Sequence, residues 1–473
     1  MKKRILLVAV AVIVGVPLLV TAWFYIGGIE TGDTSLPDDA DLLWSPPEVA
    51  DEDNAFIAIM AATNLINCTT LGTNSWDKVD MSFVSGYANI NTNRDSTARR
   101  IRADPGAGEK ADRILADNEA FYSAFAKGLE RNEFRNADPI IKELGYPFPS
   151  VLLYMRMAQF WRLKIRREAE RGEWEKAANS LEVLRRFGRF VSDGKANRFP
   201  EFSIGIMMME NVLNEMVGLV VMGGYGEDSL LRFAAIAKED EAAFSSNCTH
   251  VVRGEYTHIV AELPKKRAAD LLRTLDCDSS FRRICPVLEH WPFYRDFALG
   301  ERWTRRRLAD VAHSFLRGEI DYAVYERFYP GNPFVRNWAG RERVYGFALC
   351  CGNLLGGSWG NRRKLRLHAR AQLVIAAARW RLAHDGEMPP TLDALVPKYL
   401  PAVPADPWSK DCKPLNYDAA TGVVWSVGES GDFDYSKLPV EKSKRLRGEF
   451  GRNVDYYAFR LDGKPLNLMD NAK

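Results

Sequence analysis

A few clusters in this 473-residue chain carry side chains that could do chemistry, and each makes a demand on the surrounding fold. Gly356-Gly357-Ser358-Trp359-Gly360 has the spacing of a nucleophile elbow, where a strand-to-helix turn offers a serine hydroxyl to a downstream acid and histidine. Only His368 and His384 follow it, no Asp or Glu stands between Ser358 and either one, and the surrounding pattern is helical. The segment therefore reads as a Gly-rich hinge within or between helices. Glu255 and His258 stand three apart, which places both on one helical face, and His250 lies two turns earlier. A di-iron bundle needs two such pairs and two further inward carboxylates. This chain has one pair, so a solvated or capping role is the reading. Trp303-Thr304-Arg305-Arg306-Arg307 and Arg362-Arg363-Lys364-Leu365-Arg366 have the charge to grip a polyanion or lipid headgroups, but Asp296 and Asp310 flank the first, and such faces ordinarily meet water. The phosphate-binding loop, the dinucleotide fingerprint and the H-E-x-x-H zinc motif are all missing from the sequence. No residue is assigned as catalytic or cofactor-binding.

The elements that would position these groups are mostly helices. Apolar residues recur at three and four in Val151, Tyr154, Ala158, Trp161 and Ile165, and again in Trp174, Ala177, Leu181 and Leu184 beyond Gly172. Such a pair predicts an antiparallel hairpin. The Gly172-Glu173-Trp174 junction resembles that of tetratricopeptide-like helical pairs, without a second copy at a fixed period. Asp51 or Asp53 is expected to cap a helix through Ile66, and helical patterns cover roughly 200–222, 227–262 and 296–317. The stretch to about Asn93 gives no clear period, and Tyr329 to Trp338 reads as a Pro- and aromatic-rich break. Beyond Asn361 a helix to His384 gives way to Pro-punctuated loops. Two or three short strands are expected there, at Val423 to Val427, Val454 to Leu461, and Pro465 to Leu468 after an Asp462-Gly463 turn.

Composition narrows the partners. The 64 basic and 62 acidic side chains nearly cancel, so charge points to no nucleic acid. Met1-Lys2-Lys3-Arg4 precedes an uncharged run of 22 residues, Ile5 to Ile26. That run can cross a hydrocarbon core of roughly 30 Å. The basic cluster should stay cytoplasmic while Trp23, Phe24 and Tyr25 suit the far interface, putting the bulk of the chain outside the inner (cytoplasmic) membrane as a single-pass protein. An uncleaved signal-anchor is the reading, because the run continues past Val20-Thr21-Ala22, where a cleavable signal would be cut. Ile204 to Met222 is apolar too, but Glu210 and Glu215 make it a core helix rather than a second span. Seven cysteines form no C-x-x-C pair, which argues against structural zinc. A Cys277–Cys285 bridge and two buried thiols both stay open.

From Ala369 to Asp434 the residues fall in a recognisable order. A helix leads to His384-Asp385-Gly386-Glu387-Met388-Pro389; Leu392 and Leu395 follow, then Pro404-Ala405-Asp406-Pro407-Trp408, then Ser426-Val427-Gly428. This resembles the end of the type II secretion major pseudopilins. Pro404 and Pro407 stiffen a turn whose Trp408 can plug the groove between helix and sheet. The resemblance implies calcium bound in the loop after Ser-x-Gly, with Glu429, Asp432 and Asp434 as the oxygen ligands; the alternative is a hairpin loop with solvated acids. The amino terminus differs from the pseudopilin leader and Gly-Phe-Thr-Leu-Ile-Glu motif. The whole chain is also similar to a loose group of membrane-anchored bacterial proteins with a helical body and such a tail, which implies no activity.

The expected fold is therefore mainly α: a signal-anchor transmembrane helix (1–30), a linker (31–50), a multi-helix extracytoplasmic body with hairpin or repeat character (51–360), and a small pseudopilin-like α+β module (361–473). The expected function is a membrane-anchored scaffold or interaction protein of the bacterial envelope, with the membrane and other envelope proteins as partners. An extracytoplasmic hydrolase with an unrecognised site and a pilin-like secretion subunit remain as alternatives.

Overall fold

The computed structural model describes residues 17–26, 36–45, 48–66, 81–88, 96–135, 149–192, 199–246, 248–264, 293–317, 337–355, 364–428, 430–437, 457–464 and 466. The chain divides into two compact units: one holds Met1–Pro46 and Thr249–Gly356, the other Pro47–Cys248 and Gly357–Lys473. Helix α1 (Pro17–Ile26) is the described part of the apolar N-terminal run and belongs to the first unit.

The second unit begins with α2 (Ala55–Thr63). Its cap is Asn54 rather than Asp51 or Asp53: Oδ1 accepts the N–H of Phe56 at 3.1 Å and that of Arg135 at 2.9 Å. The amide also donates to Arg135 O at 2.9 Å, which an aspartate could not do. Helices α3 (Met81–Ala88), α4 (Ser96–Ala103), α5 (Ala107–Asp117) and α6 (Glu119–Gly128) follow. The first of these lies in the stretch without a clear apolar period, and it buries Phe83, Val84 and Tyr87. The expected hairpin is present as α7 (Pro149–Glu170) and α8 (Trp174–Ser192), joined through Gly172 at φ +75°. Helix α9 (Phe199–Met222) crosses α8 where two glycines meet: a Cβ on Gly205 would stand 2.6 Å from Gly188 O. Among the described residues, Glu201–Met222 is the helix long and apolar enough to span a membrane, but 67% of its apolar window is buried in the protein. It is a core helix, as its carboxylates suggested. The expected pattern at 227–262 resolves into α10 (Glu227–Ser246) and α11 (Cys248–Glu262).

In the first unit α11 is followed by α12 (Tyr294–Leu299), α13 (Glu301–Leu316) and α14 (Trp338–Leu355). Gly300, at φ +51°, separates α12 from α13 within the range expected as one helix. A Cβ on Gly340 would overlap Thr304 Oγ1, so α13 and α14 are in direct contact there. Residues 36–45, expected as part of a linker, are folded into this unit: Leu42 is buried, and the Trp44 N–H donates to Thr257 Oγ1 at 2.8 Å.

The carboxyl-terminal part of the second unit opens with a π-helical turn, Lys364–Ala369, that runs into α15 (Arg370–Ala383). Asp385 at φ +49° and Gly386 at φ +86° form the expected turn. Three short strands make an antiparallel sheet in the order β1 (Asn416–Asp418), β2 (Val423–Trp425), β3 (Ala458–Arg460). Val424 sits opposite Tyr417 on one side and Phe459 on the other. The first strand, at 416–418, lies outside the segments whose pattern predicts strand. The strand expected at 465–468 lies almost wholly outside the described residues. Helix α15 is apolar on both faces. Ala371, Val374, Ile375 and Ala378 join the core of α7 to α10, while Leu373, Ala376 and Ala377 pack with Leu392, Leu395, Val424 and Phe459.

Candidate functional site

Asp406 is the hub of the carboxyl-terminal part. It is buried between two prolines, and its Oδ1 accepts the Ser426 hydroxyl at 2.6 Å and the Trp408 N–H at 2.9 Å. Oδ2 takes the Val427 N–H at 2.8 Å. Ser426 Oγ in turn accepts the Gly428 N–H at 3.0 Å, so the Pro404–Trp408 and Ser426–Gly428 motifs form one hydrogen-bonded unit. Gly428 is at φ +70°, and a Cβ there would press to 3.1 Å from Phe433 Cβ. Trp408 packs edge-on against Tyr457, with centroids 5.2 Å apart, and joins the cluster between α15 and the sheet.

The proposed calcium ligands lie beyond this hub. Asp434 accepts Ser436 N–H at 3.0 Å and the Ser436 hydroxyl at 2.7 Å, and pairs with Lys437 at 2.9 Å. The Ser436 hydrogen bond, then Lys437, hold its carboxyl below the usual range. Asp432 is exposed, and Glu429 lies outside the described residues. Among the described residues no three metal-ligating side chains converge.

In the first unit a second buried acid organises its neighbours. Asp39 forms a two-pronged pair with Arg305, Nε to Oδ2 at 2.7 Å and Nη2 to Oδ1 at 3.0 Å, and accepts a short hydrogen bond from the Tyr256 hydroxyl. Burial pushes the Asp39 carboxyl up, but the hydrogen bonds from Arg305 and Tyr256 and the Arg305 charge outweigh it and leave the group below its usual range. Burial, and then Asp39 itself, drive the Tyr256 phenol well above its ordinary value. Asp41 faces His313 Nε2 at 3.1 Å, and Trp44 lies on the His250 ring at 4.6 Å between centroids. The segment 36–45 is thus held on α11 and α13 by charge, hydrogen bond and ring contact.

A third set of ionic contacts ties helices of the second unit. Glu215, fully buried on α9, pairs with Arg162 of α7. Arg167 holds Asp112 through two nitrogens and also reaches Glu170, which accepts the Tyr87 hydroxyl. The Arg167 hydrogen bond, chiefly, brings Asp112 down to about 2; burial and Glu170 raise Tyr87 to about 12.

Of the groups singled out in the sequence, Ser358, Cys277, Cys285, Arg362 and Arg363 fall outside the described residues, while Lys364, Leu365 and Arg366 lie in the π-helical turn before α15. His384 is stacked on Trp380 at 3.8 Å with Nδ1 2.8 Å from Trp380 O, at the end of α15. Arg305 and Arg307 are engaged with Asp39 and Asp310. No local pattern marks the Asp39 cluster, whose other members, Tyr256 and Arg305, lie 217 and 266 positions from Asp39. Asp406 lies within the Pro404–Trp408 motif, whose prolines and tryptophan are its visible features in sequence; the carboxylate's role depends on Ser426 and Val427, some twenty residues away. Both carboxylate oxygens of Asp406, of Asp39 and of Asp112 accept from donors on distant segments of the same chain, an arrangement that holds segments together. Comparison of the chain with family models, with curated proteins and with solved structures yields no match.

Proposed function

We propose that this chain is a membrane-anchored extracytoplasmic scaffold of the bacterial envelope, whose helical units offer surfaces to other envelope proteins. The observation that carries the reading is the basic Met1-Lys2-Lys3-Arg4 followed by the apolar run to Ile26, whose described part, α1, exposes Leu18, Leu19, Trp23, Tyr25 and Ile26. The acids that stand out by burial, Asp39, Asp406 and Glu215, supply architecture, which suits a protein that works by holding shape. The tail carries an order of motifs similar to that of the major pseudopilins, and calcium at Glu429, Asp432 and Asp434 belongs to the same resemblance. Melting of the full chain that does not respond to a chelator removes the calcium.

A phosphatase reporter fused after Lys473, with carbonate extraction of the membranes, tests the anchor. An active reporter in the carbonate-resistant pellet is expected. An inactive reporter, or a chain released to the supernatant, overturns the topology. Chemical cross-linking in intact cells tests the scaffold: adducts to other envelope proteins are expected, and adducts confined to a second copy of the chain overturn it.

A further inference from the structure

Within the first unit, the contact of α1 with α12 contains an asymmetry that the anchor alone does not explain. Within α1, Phe24 is 1% exposed while its neighbours Trp23 and Tyr25 are 63% and 51% exposed. Phe24 sits against two rings of α12, with centroids 4.9 Å from Tyr294 and 5.0 Å from Phe297. One residue before α12, Phe293 meets Tyr25 edge-on at 4.9 Å and is itself 47% exposed. Its backbone is left-handed, at φ +65°, a conformation that costs a non-glycine residue about 1 kcal/mol or more. The fold thus holds a large apolar ring outward, beside the exposed aromatic end of the apolar helix.

We infer that Phe293 and the start of α12 lie in the headgroup layer of the bilayer, so that the first unit rests on the membrane through a second apolar contact. The inference rests on the anchor reading and adds to it. The occupant is a lipid surface because the patch is continuous with the apolar run that begins at Ile5, and because Trp23 and Tyr25 are the residue types that settle at that depth. Phe24 fixes the depth. A ring centroid 5.0 Å away cannot stand far above an interface in which its neighbour is embedded. The contact also orients the unit, since α1 alone would leave it free to turn about the helix axis.

Photo-crosslinking in the full-length chain tests this. A benzophenone amino acid is placed at Leu18, at Phe293 or at Leu231, an exposed leucine of the second unit, and each protein is reconstituted in vesicles of phosphatidylethanolamine and phosphatidylglycerol. Lipid adducts are expected from positions 18 and 293, with at least tenfold less from 231. Adducts at 18 with none at 293 overturn the surface and leave the anchor standing. Adducts at neither position overturn the anchor, and this inference with it. Equal adduct yields at 293 and 231 show nonspecific contact and overturn the surface as well.

Discussion

At the scale of single residues, the chain spends buried carboxylates on joining distant segments. Asp406 accepts three donors, and an amide in its place offers only one oxygen acceptor while adding two donors. Asp406→Asn is therefore expected to cost about 1–3 kcal/mol, in the range of a buried donor left without its acceptor. Hydrogen exchange should show faster labelling across 404–428, and unchanged protection there would contradict the role. Asp39 carries a pH signature. Its carboxyl titrates lower in the folded chain than in the unfolded one, so its contribution is complete above the ordinary carboxyl range of about pH 4 and is lost as pH falls through the depressed folded value. Proteolysis within 36–45 by an acid-active protease should rise as pH drops below about 4. In Asp39→Asn the segment should be open at neutral pH already.

At the scale of elements, two contacts decide how the helices of the second unit pack. Gly205 faces Gly188 O and Ser192 across the α8–α9 crossing, where an added Cβ meets backbone rather than a flexible side-chain end. Gly205→Ala should push the helices apart at a cost of about 1–3 kcal/mol, read as a lower melting temperature. Removing the partner of a buried charge costs more. Arg162→Met leaves Glu215 buried without its guanidinium and should destabilise by about 3–5 kcal/mol, whereas the double change Arg162→Met with Glu215→Leu should recover much of that loss. A double variant no more stable than the single one would show that the pair does not bridge α7 and α9 energetically. The α7–α8 hairpin, α9 and α15 were legible from periodicity because each carries its own apolar pattern and length. The first strand was not: Asn416-Tyr417-Asp418 has weak strand propensity, and the hairpin is closed by Asp418, which bonds the Ala420 N–H at 3.0 Å and the Thr421 hydroxyl at 2.7 Å.

At the scale of the whole molecule, the tail is bound to the helical body more closely than its sequence boundary suggests. Helix α15 buries one face in the core of α7 to α10 and the other under the sheet, and a Cβ on Gly463 would stand 2.9 Å from Val221 of α9. A fragment of residues 361–473 should therefore fold poorly alone, with broad melting and dye binding to the exposed α15 face. Adding a fragment of residues 47–248 should sharpen the transition; a cooperative, dye-free 361–473 would contradict this. By itself the sequence determined a mainly helical chain, its apolar N-terminal run, the hairpin after Gly172, and the order of motifs in the tail, because each is written in neighbouring residues. Only the tertiary structure decided that Asp39 belongs to Arg305 and Tyr256, that Asp406 joins Ser426, and that α15 serves two cores. Those pairings depend on which distant groups meet out of water, and local pattern carries no record of that.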